Sequence, residues 1–261
     1  MLNSLSYEQV CLRAGAEDKL KDTKALPRNL TEALKEAESL HGSLNSRLSA
    51  YRDFTKRLLP EAAKAYDDLI KRLGVLDRGK VGPELGARMP LFSLPDENGD
   101  MVSLASLLRR GPVVISFNRG HWCPYCKLDL RALAAVNERV VALGARMVSI
   151  MPDNARFTGG FVRENKLPFP VLSDIDLGYA LSLGLIFWVG SEVERLYKSV
   201  GLELDKYHGN GGLFLPMAAK FVVGQDGLIK ARQVNIEFRE RMEPEAILAA
   251  LEEDLRTQRP S

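Results

Sequence analysis

Two cysteines, Cys123 and Cys126, stand in the stretch RGHWCPYCKLDL with only Pro124 and Tyr125 between them. A pair one helical turn apart can serve three chemistries: a disulfide staple, half of a metal site, or a dithiol that cycles with its disulfide. A structural zinc needs four ligands. Beyond the pair the chain offers Cys11 and the scattered histidines His41, His121 and His208, and none forms a second ligand pair. A staple across a two-residue gap constrains almost nothing in the unfolded chain. Redox chemistry remains, with no metal and no cofactor expected.

The elements that must position the pair point the same way. The β-branched run PVVISF precedes it, and a helical pattern from Pro124 to about Leu143 follows. A cysteine at a helix N-terminus meets unpaired backbone N–H groups and the positive end of the helix dipole, which favour a thiolate. Arg119 and His121 are close enough in sequence to reinforce it, whereas Lys127 reads as a solvated side chain. The stripe Cys126, Leu130, Leu133, Val136 and Val140 makes Cys126 the first residue of the buried helix face. Cys123 is then expected at the solvent-accessible end, as the better nucleophile toward a bulky disulfide, with Cys126 attacking it from below. Trp122 is expected to shield the dithiol. Cys11 reads as a small buried apolar group on an N-terminal helix, or as a resolving thiol.

Away from the pair, the chain has two textures. Residues 1–79 read as a helical extension. Thr31 is placed to cap a helix through EALKEAESLHGSLNSRLSAYRDFTKRLL, whose apolar stripe is Leu34, Ala37, Leu44, Leu48, Tyr51 and Leu58. Pro60 breaks it and opens a second helix that ends at Gly74. The stripe fits either an arm packed on the body or a subunit interface, and a homodimer is expected from it. A Gly- and Pro-containing linker spans about 75–90. Over 80–261, strand and helix signals alternate, with hairpin turns at Asp96–Gly99 and Asp226–Gly227, which predicts an α/β fold around a mixed sheet. Phe187 and Trp188 read as groove or core, and His208, in YHGNGG, as a plain glycine loop.

Formal net charge is +2 with both signs interspersed, so no basic patch speaks for nucleic acid. No apolar run reaches membrane-span length, and the N-terminal MLNSLSYEQV lacks an apolar signal core. A cytoplasmic location is expected on that ground.

Trp-Cys-Pro-Tyr-Cys after a strand, followed about a hundred residues later by FVVGQDG, resembles the thioredoxin superfamily. PDENGDMVSLASLLRRGPVVISFNRGHWCPYC, FPVLSD and EPEAILAAL resemble the peroxiredoxin-like branch of the alkyl hydroperoxide reductase/thiol-specific antioxidant family, over roughly residues 81–255. The resemblance implies a thioredoxin-like fold. It also implies an antioxidant thiol oxidoreductase that reduces hydrogen peroxide or organic hydroperoxides, with a thioredoxin- or glutathione-type electron donor. By that resemblance Cys126 is the peroxidatic counterpart.

The family's site pattern is incomplete here. Its Pro-x-x-x-Thr-x-x-Cys motif, aligned on Cys126, puts Arg119 at the proline and Cys123 at the threonine; aligned on Cys123, it gives Ser116 and Gly120. The family's arginine three residues before Phe221 is Ala218, which is also where thioredoxins place a cis-proline. Pro216, two residues earlier, either stands in for that proline or shapes the loop. Peroxidase activity is expected to be weakened accordingly. A protein disulfide reductase and a redox sensor or binding module without turnover are the other readings. Turnover with a reductant separates enzyme from sensor, and the preferred oxidant separates the two enzymes.

Overall fold

Two fully buried, largely apolar strands form the middle of the sheet that carries the cysteine loop. In the computed structural model, which describes residues 26–76, 81–209, 211 and 213–258, the N-terminal part holds helices α1 (Leu30–Ser39), α2 (Leu44–Leu58) and α3 (Pro60–Leu76). The remainder alternates strands and helices. The hairpin strands β1 (Ser93–Pro95) and β2 (Met101–Ser103) come first, then α4 (Leu104–Leu108), β3 (Val113–Phe117), α5 (Pro124–Ala142), β4 (Arg146–Met151), α6 (Ala155–Asn165) and β5 (Val171–Ser173). There follow α7 (Gly178–Ser182), β6 (Ile186–Trp188), α8 (Gly190–Ser199), α9 (Leu204–His208), β7 (Phe214–Pro216), β8 (Ala219–Val223), β9 (Ile229–Val234) and α10 (Pro244–Gln258).

The main sheet has the order β5-β4-β3-β8-β9. β3 is parallel to β4 and antiparallel to β8, so the sheet is mixed, as the alternating pattern predicts. All five residues of β3 and of β8 are buried, which is why both read as continuous apolar runs rather than alternating ones. Lys220 is the exception inside β8, a buried cation in an apolar strand.

The N-terminal helices depart from expectation in a way that matters for the site. One long helix capped by Thr31 is in fact two, and the first cap is Asn29, whose side chain accepts from the Glu32 N–H. The break falls at Gly42, whose φ of +123° suits glycine, and Ser43 caps the next helix by accepting from Ser46. Pro60 opens α3 as expected, but that helix runs through Gly74 to Leu76. The apolar stripe closes on its own chain: Ala37, Leu44, Leu48 and Tyr51 are buried in one cluster with Trp122, Cys123, Tyr125 and Cys126. Leu34 and Leu58 pack partly buried against the same cluster, so most of the stripe on which the homodimer expectation rests is covered within the chain.

Long-range polar contacts fix this arrangement. The Glu243 carboxylate accepts from the Leu44 and Asn45 N–H groups at 2.9 and 2.8 Å, capping α2 from the far end of the chain. These bonds hold the Glu243 carboxyl below its ordinary pKa against the opposing effect of burial. Asn45 and the Arg241 backbone exchange two further bonds, and Arg239 pairs with Asp67 of α3 at 2.8 Å. Cys11 lies outside the described residues.

Candidate active site

The loop between β3 and α5 is shaped residue by residue. Gly120 has a φ of +148°, and a Cβ there would sit 2.3 Å from Trp122 Nε1 and 3.1 Å from Asp153 Oδ2. Only glycine lets the chain pass between them. Pro124 occupies the first turn of α5, where its missing N–H costs nothing. Cys123 is the N-cap and has no side-chain capping bond, so its sulfur is free of that role.

Cys123 is only 1% exposed, against the expectation of a solvent-facing thiol; Cys126 is fully buried, as the stripe requires. Helix phase alone placed Cys123 outside. It could not register that α2 and α3 fold over the helix N-terminus. Cys123 instead lines a small cavity of about 40 Å³, walled by Tyr51 and Tyr66 of the N-terminal helices and by Arg119, Trp122, Tyr197 and Phe238. Cys126 is not among the lining residues.

The electrostatics separate the two thiols further. Burial pushes the Cys123 thiol up, but a hydrogen bond from Cys126 and the Arg119 and Arg241 guanidiniums outweigh it, and its pKa falls to about 6. Burial, and then the Cys123 sulfur, push Cys126 well above the ordinary thiol range. The Arg119 N–H donates to Cys126 Sγ at 3.4 Å, and Arg241 Nη2 lies 3.9 Å from the same sulfur. A sulfur pair faced by two cations is a poor seat for a metal ion and a good one for a thiolate.

Arg119 is 1% exposed and has no carboxylate partner among the described residues. Its Nη2 donates to the Tyr197 hydroxyl at 2.5 Å, and its guanidinium stacks 3.9 Å from the Phe238 ring centroid and 5.3 Å from that of Trp122. Tyr125 packs edge-on to Tyr51 at 5.1 Å between ring centroids, so it joins the dithiol helix to the N-terminal helices. Burial keeps its phenol protonated.

Other expectations are redirected. His121 does not serve the thiolate. Its ring turns to Asp153, with Nδ1 3.3 Å from Oδ1, while its backbone N–H donates to Oδ2 at 2.7 Å. The ring lies stacked on Phe157. His208 is not in a plain loop. It ends α9, is fully buried, and places Nε2 3.9 Å from Asp153 Oδ1. The glycines after it gave the loop signal, and the short helix before them was not legible. Pro216 ends β7 and pairs with Ile186 of β6, an element pair the sequence reading missed, and no cis peptide occurs among the described residues. Phe187 is core, in the same cluster as the cysteines, whereas Trp188 is largely exposed.

Two site residues escaped sequence reasoning. Asp129 is buried one turn after Cys126; its carboxylate lies 2.5 Å from Lys220 Nζ and 3.5 Å from Arg241 Nε. It thereby holds Arg241 beside Cys126. A signal existed for part of this: a carboxylate on a buried helix face and a lysine inside an all-apolar strand each require a partner. Arg241, in the irregular stretch before α10, carried no signal.

Comparison with known proteins bears on the family and the fold. The AhpC/TSA family model matches residues 85–232. Chloroplastic peroxiredoxin Q of Oryza sativa subsp. japonica is 35% identical over 96 residues, which is 37% of this chain and 43% of that protein. Putative peroxiredoxin bcp of Coxiella burnetii is 29% identical over 93 residues, 36% of this chain and 61% of that protein. The chain thus spans less than half the length of the plant relative. Among solved structures, peroxidoxin BcpB of Mycobacterium tuberculosis superposes with a TM-score of 0.51 at 22% identity, covering 68% of this chain and 99% of that one. Peroxiredoxin 6 of Arenicola marina gives 0.55 at 16% identity, over 68% and 76% of the two chains. These likenesses establish the thioredoxin-like fold. The cytoplasmic expectation is corrected by the plant relatives, which are chloroplastic. Lack of an apolar signal core could not have excluded a plastid, because transit peptides have no such core. With the match running from the linker into β9 and enclosing the dithiol, the chain belongs to the AhpC/TSA family as a peroxiredoxin-like member.

Proposed function

We propose that this protein is a thiol peroxidase in which Cys123 attacks the hydroperoxide and Cys126 resolves the product. The observation that carries the reading is the difference between the sulfurs: Cys123 lines the cavity and has a pKa of about 6, while Cys126 is sealed behind it and stays protonated. At neutral pH about nine-tenths of Cys123 is thiolate. It attacks the distal oxygen of the hydroperoxide, so that an S–O bond forms as the O–O bond breaks. The electron pair leaves on the other oxygen, which takes up a proton and departs as water or an alcohol. Cys123 is then a sulfenic acid. The Cys126 thiol attacks that sulfur, and its proton leaves with the hydroxyl as water, giving the Cys123–Cys126 disulfide. A thioredoxin- or glutathione-type thiol donor would return both sulfurs to the reduced state.

This assigns the peroxidatic role to Cys123 rather than to Cys126, the counterpart by family spacing. Burial of Cys123 under α2 and α3 also favours a small hydroperoxide over a protein disulfide as oxidant. Stopped-flow oxidation of the reduced protein by hydrogen peroxide and by cumene hydroperoxide, followed by Trp122 fluorescence and thiol counting, tests the reading. Two of the three thiols should disappear, at a rate far above that of free cysteine. A rate equal to that of free cysteine would sink it in favour of disulfide reduction or sensing.

A further inference from the structure

A thiolate alone does not make a fast peroxidase, because the O–O bond must be polarised by donors aimed at the leaving oxygen. Neither the family threonine nor its arginine is present in this chain, so the donors have to come from elsewhere in the cavity. The polar groups that share the cavity wall with Cys123 include the guanidinium of Arg119 and the phenols of Tyr66 and Tyr197, beside Tyr51, Thr55, Trp122 and Tyr125. Of these, Tyr66 and Tyr197 are the two phenols gathered around the Arg119 guanidinium. Arg119 Nη2 donates to the Tyr197 oxygen at 2.5 Å. A phenol whose oxygen accepts that bond retains its own proton to donate. Arg119 Nε is buried and, among the described residues, has no hydrogen-bond partner.

Tyr66 approaches from the other wall. It lies on α3, its ring centroid is 6.5 Å from that of Tyr197, and the Arg119 guanidinium carbon is 5.9 Å from its centre. An edge contact with Phe238 at 5.5 Å holds the ring in place. Burial, acting against the Arg119 charge, raises both phenols above their ordinary pKa, so both remain protonated donors at neutral pH.

We propose that Tyr66 and Tyr197, held by Arg119, are the hydrogen-bond donors that receive the hydroperoxide over Cys123, which makes the N-terminal helical extension a contributor of a catalytic residue. The inference rests on the thiol-peroxidase reading. The phenol protons polarise the leaving oxygen as the thiolate forms the S–O bond. The proton that oxygen finally keeps is drawn from solvent through the same hydrogen bonds, so the phenols end as they began.

The test uses the full chain and the variants Tyr66→Phe and Tyr197→Phe, which keep the rings and their packing. Two rates are measured on each: oxidation of Cys123 by cumene hydroperoxide, and alkylation by iodoacetamide across pH 5–9. Alkylation needs the thiolate and access to it but no O–O polarisation. Tyr66→Phe should lower the hydroperoxide rate by about a hundredfold, the usual effect of losing one such donor. Its alkylation rate and apparent thiol pKa should stay at the wild-type values. Tyr197→Phe should give a comparable loss. If both rates fall together in Tyr66→Phe, the tyrosine only shapes the pocket or the thiolate; if neither falls, it does not meet the substrate. Either result overturns the inference and leaves the peroxidase reading intact. A wild-type hydroperoxide rate no better than free cysteine overturns both.

Discussion

Two buried polar regions lie on either side of the Gly120–Trp122 turn. In one, the sulfurs of Cys123 and Cys126 are faced by the guanidiniums of Arg119 and Arg241. In the other, the single carboxylate of Asp153 is faced by the imidazoles of His121 and His208. The first places two cations, only one of them beside a carboxylate, around a thiol and so lowers the Cys123 pKa. The second places a carboxylate where it accepts a backbone N–H from the cysteine turn and pins α9 against it. One region spends burial on reactivity and the other on position. The contrast explains why His121, adjacent in sequence to the dithiol, belongs to the second region rather than the first.

The sharpest break removes the nucleophile. Cys123→Ser should abolish hydroperoxide consumption, whereas Cys126→Ser should complete the first step and accumulate a sulfenic acid that dimedone traps. Mass spectrometry of the dimedone adduct decides it, and an adduct on Cys126 in the Cys123→Ser protein would reverse the roles.

Next in size is the loss of a cation. The folded pKa of Cys123, about 6, lies below the ordinary thiol range, so its reactivity should be full above pH 7 and fall as pH drops through 6. Its contribution to stability has the same sign: present above the unfolded value, lost as pH falls through the folded one. Arg119→Met should move the alkylation profile upward and lower the rate at pH 7 by up to about 30-fold, the ratio of thiolate populations for thiols near 6 and 8.5. An unchanged profile would mean that Arg241 and Cys126 suffice.

A smaller effect should separate the two regions. Asp153→Asn leaves the His121 ring and the buried His208 without their carboxylate, and should cost about 1–3 kcal/mol of stability in urea. The Cys123 alkylation profile should not move. If it does, the two regions are electrostatically one site.

The smallest effect concerns His208. Burial lowers its pKa below the ordinary 6.5, although Asp153 pulls the other way. The unfolded chain therefore takes up this proton first, and stability should decline as pH falls below 6.5. His208→Gln should lose less stability than wild type between pH 7 and 5, as followed by urea unfolding. Comparing the two proteins cancels the Cys123 contribution. Equal pH dependence would mean that His208 keeps its unfolded-state affinity for protons.

The chain's own pattern determined the dithiol, the strand before it, the helix after it and the α/β alternation. These are local: two cysteines at a fixed spacing, a β-branched run and a 3.6-residue stripe are visible in any window that contains them. Tertiary structure decided everything that depends on which distant surface covers a residue. Helix phase could expose Cys123 but could not know that Tyr51 and Tyr66, more than fifty residues earlier, fold over it. A glycine-rich stretch hid the burial of His208. Arg241 reaches Cys126 with its guanidinium 3.5 Å from the Asp129 carboxylate, which Lys220 also pairs with, three residues brought together by a helix, a strand and an irregular segment. The pKa of a buried thiol is the sum of such neighbours, and no neighbour more than a few residues away is written beside it in the sequence.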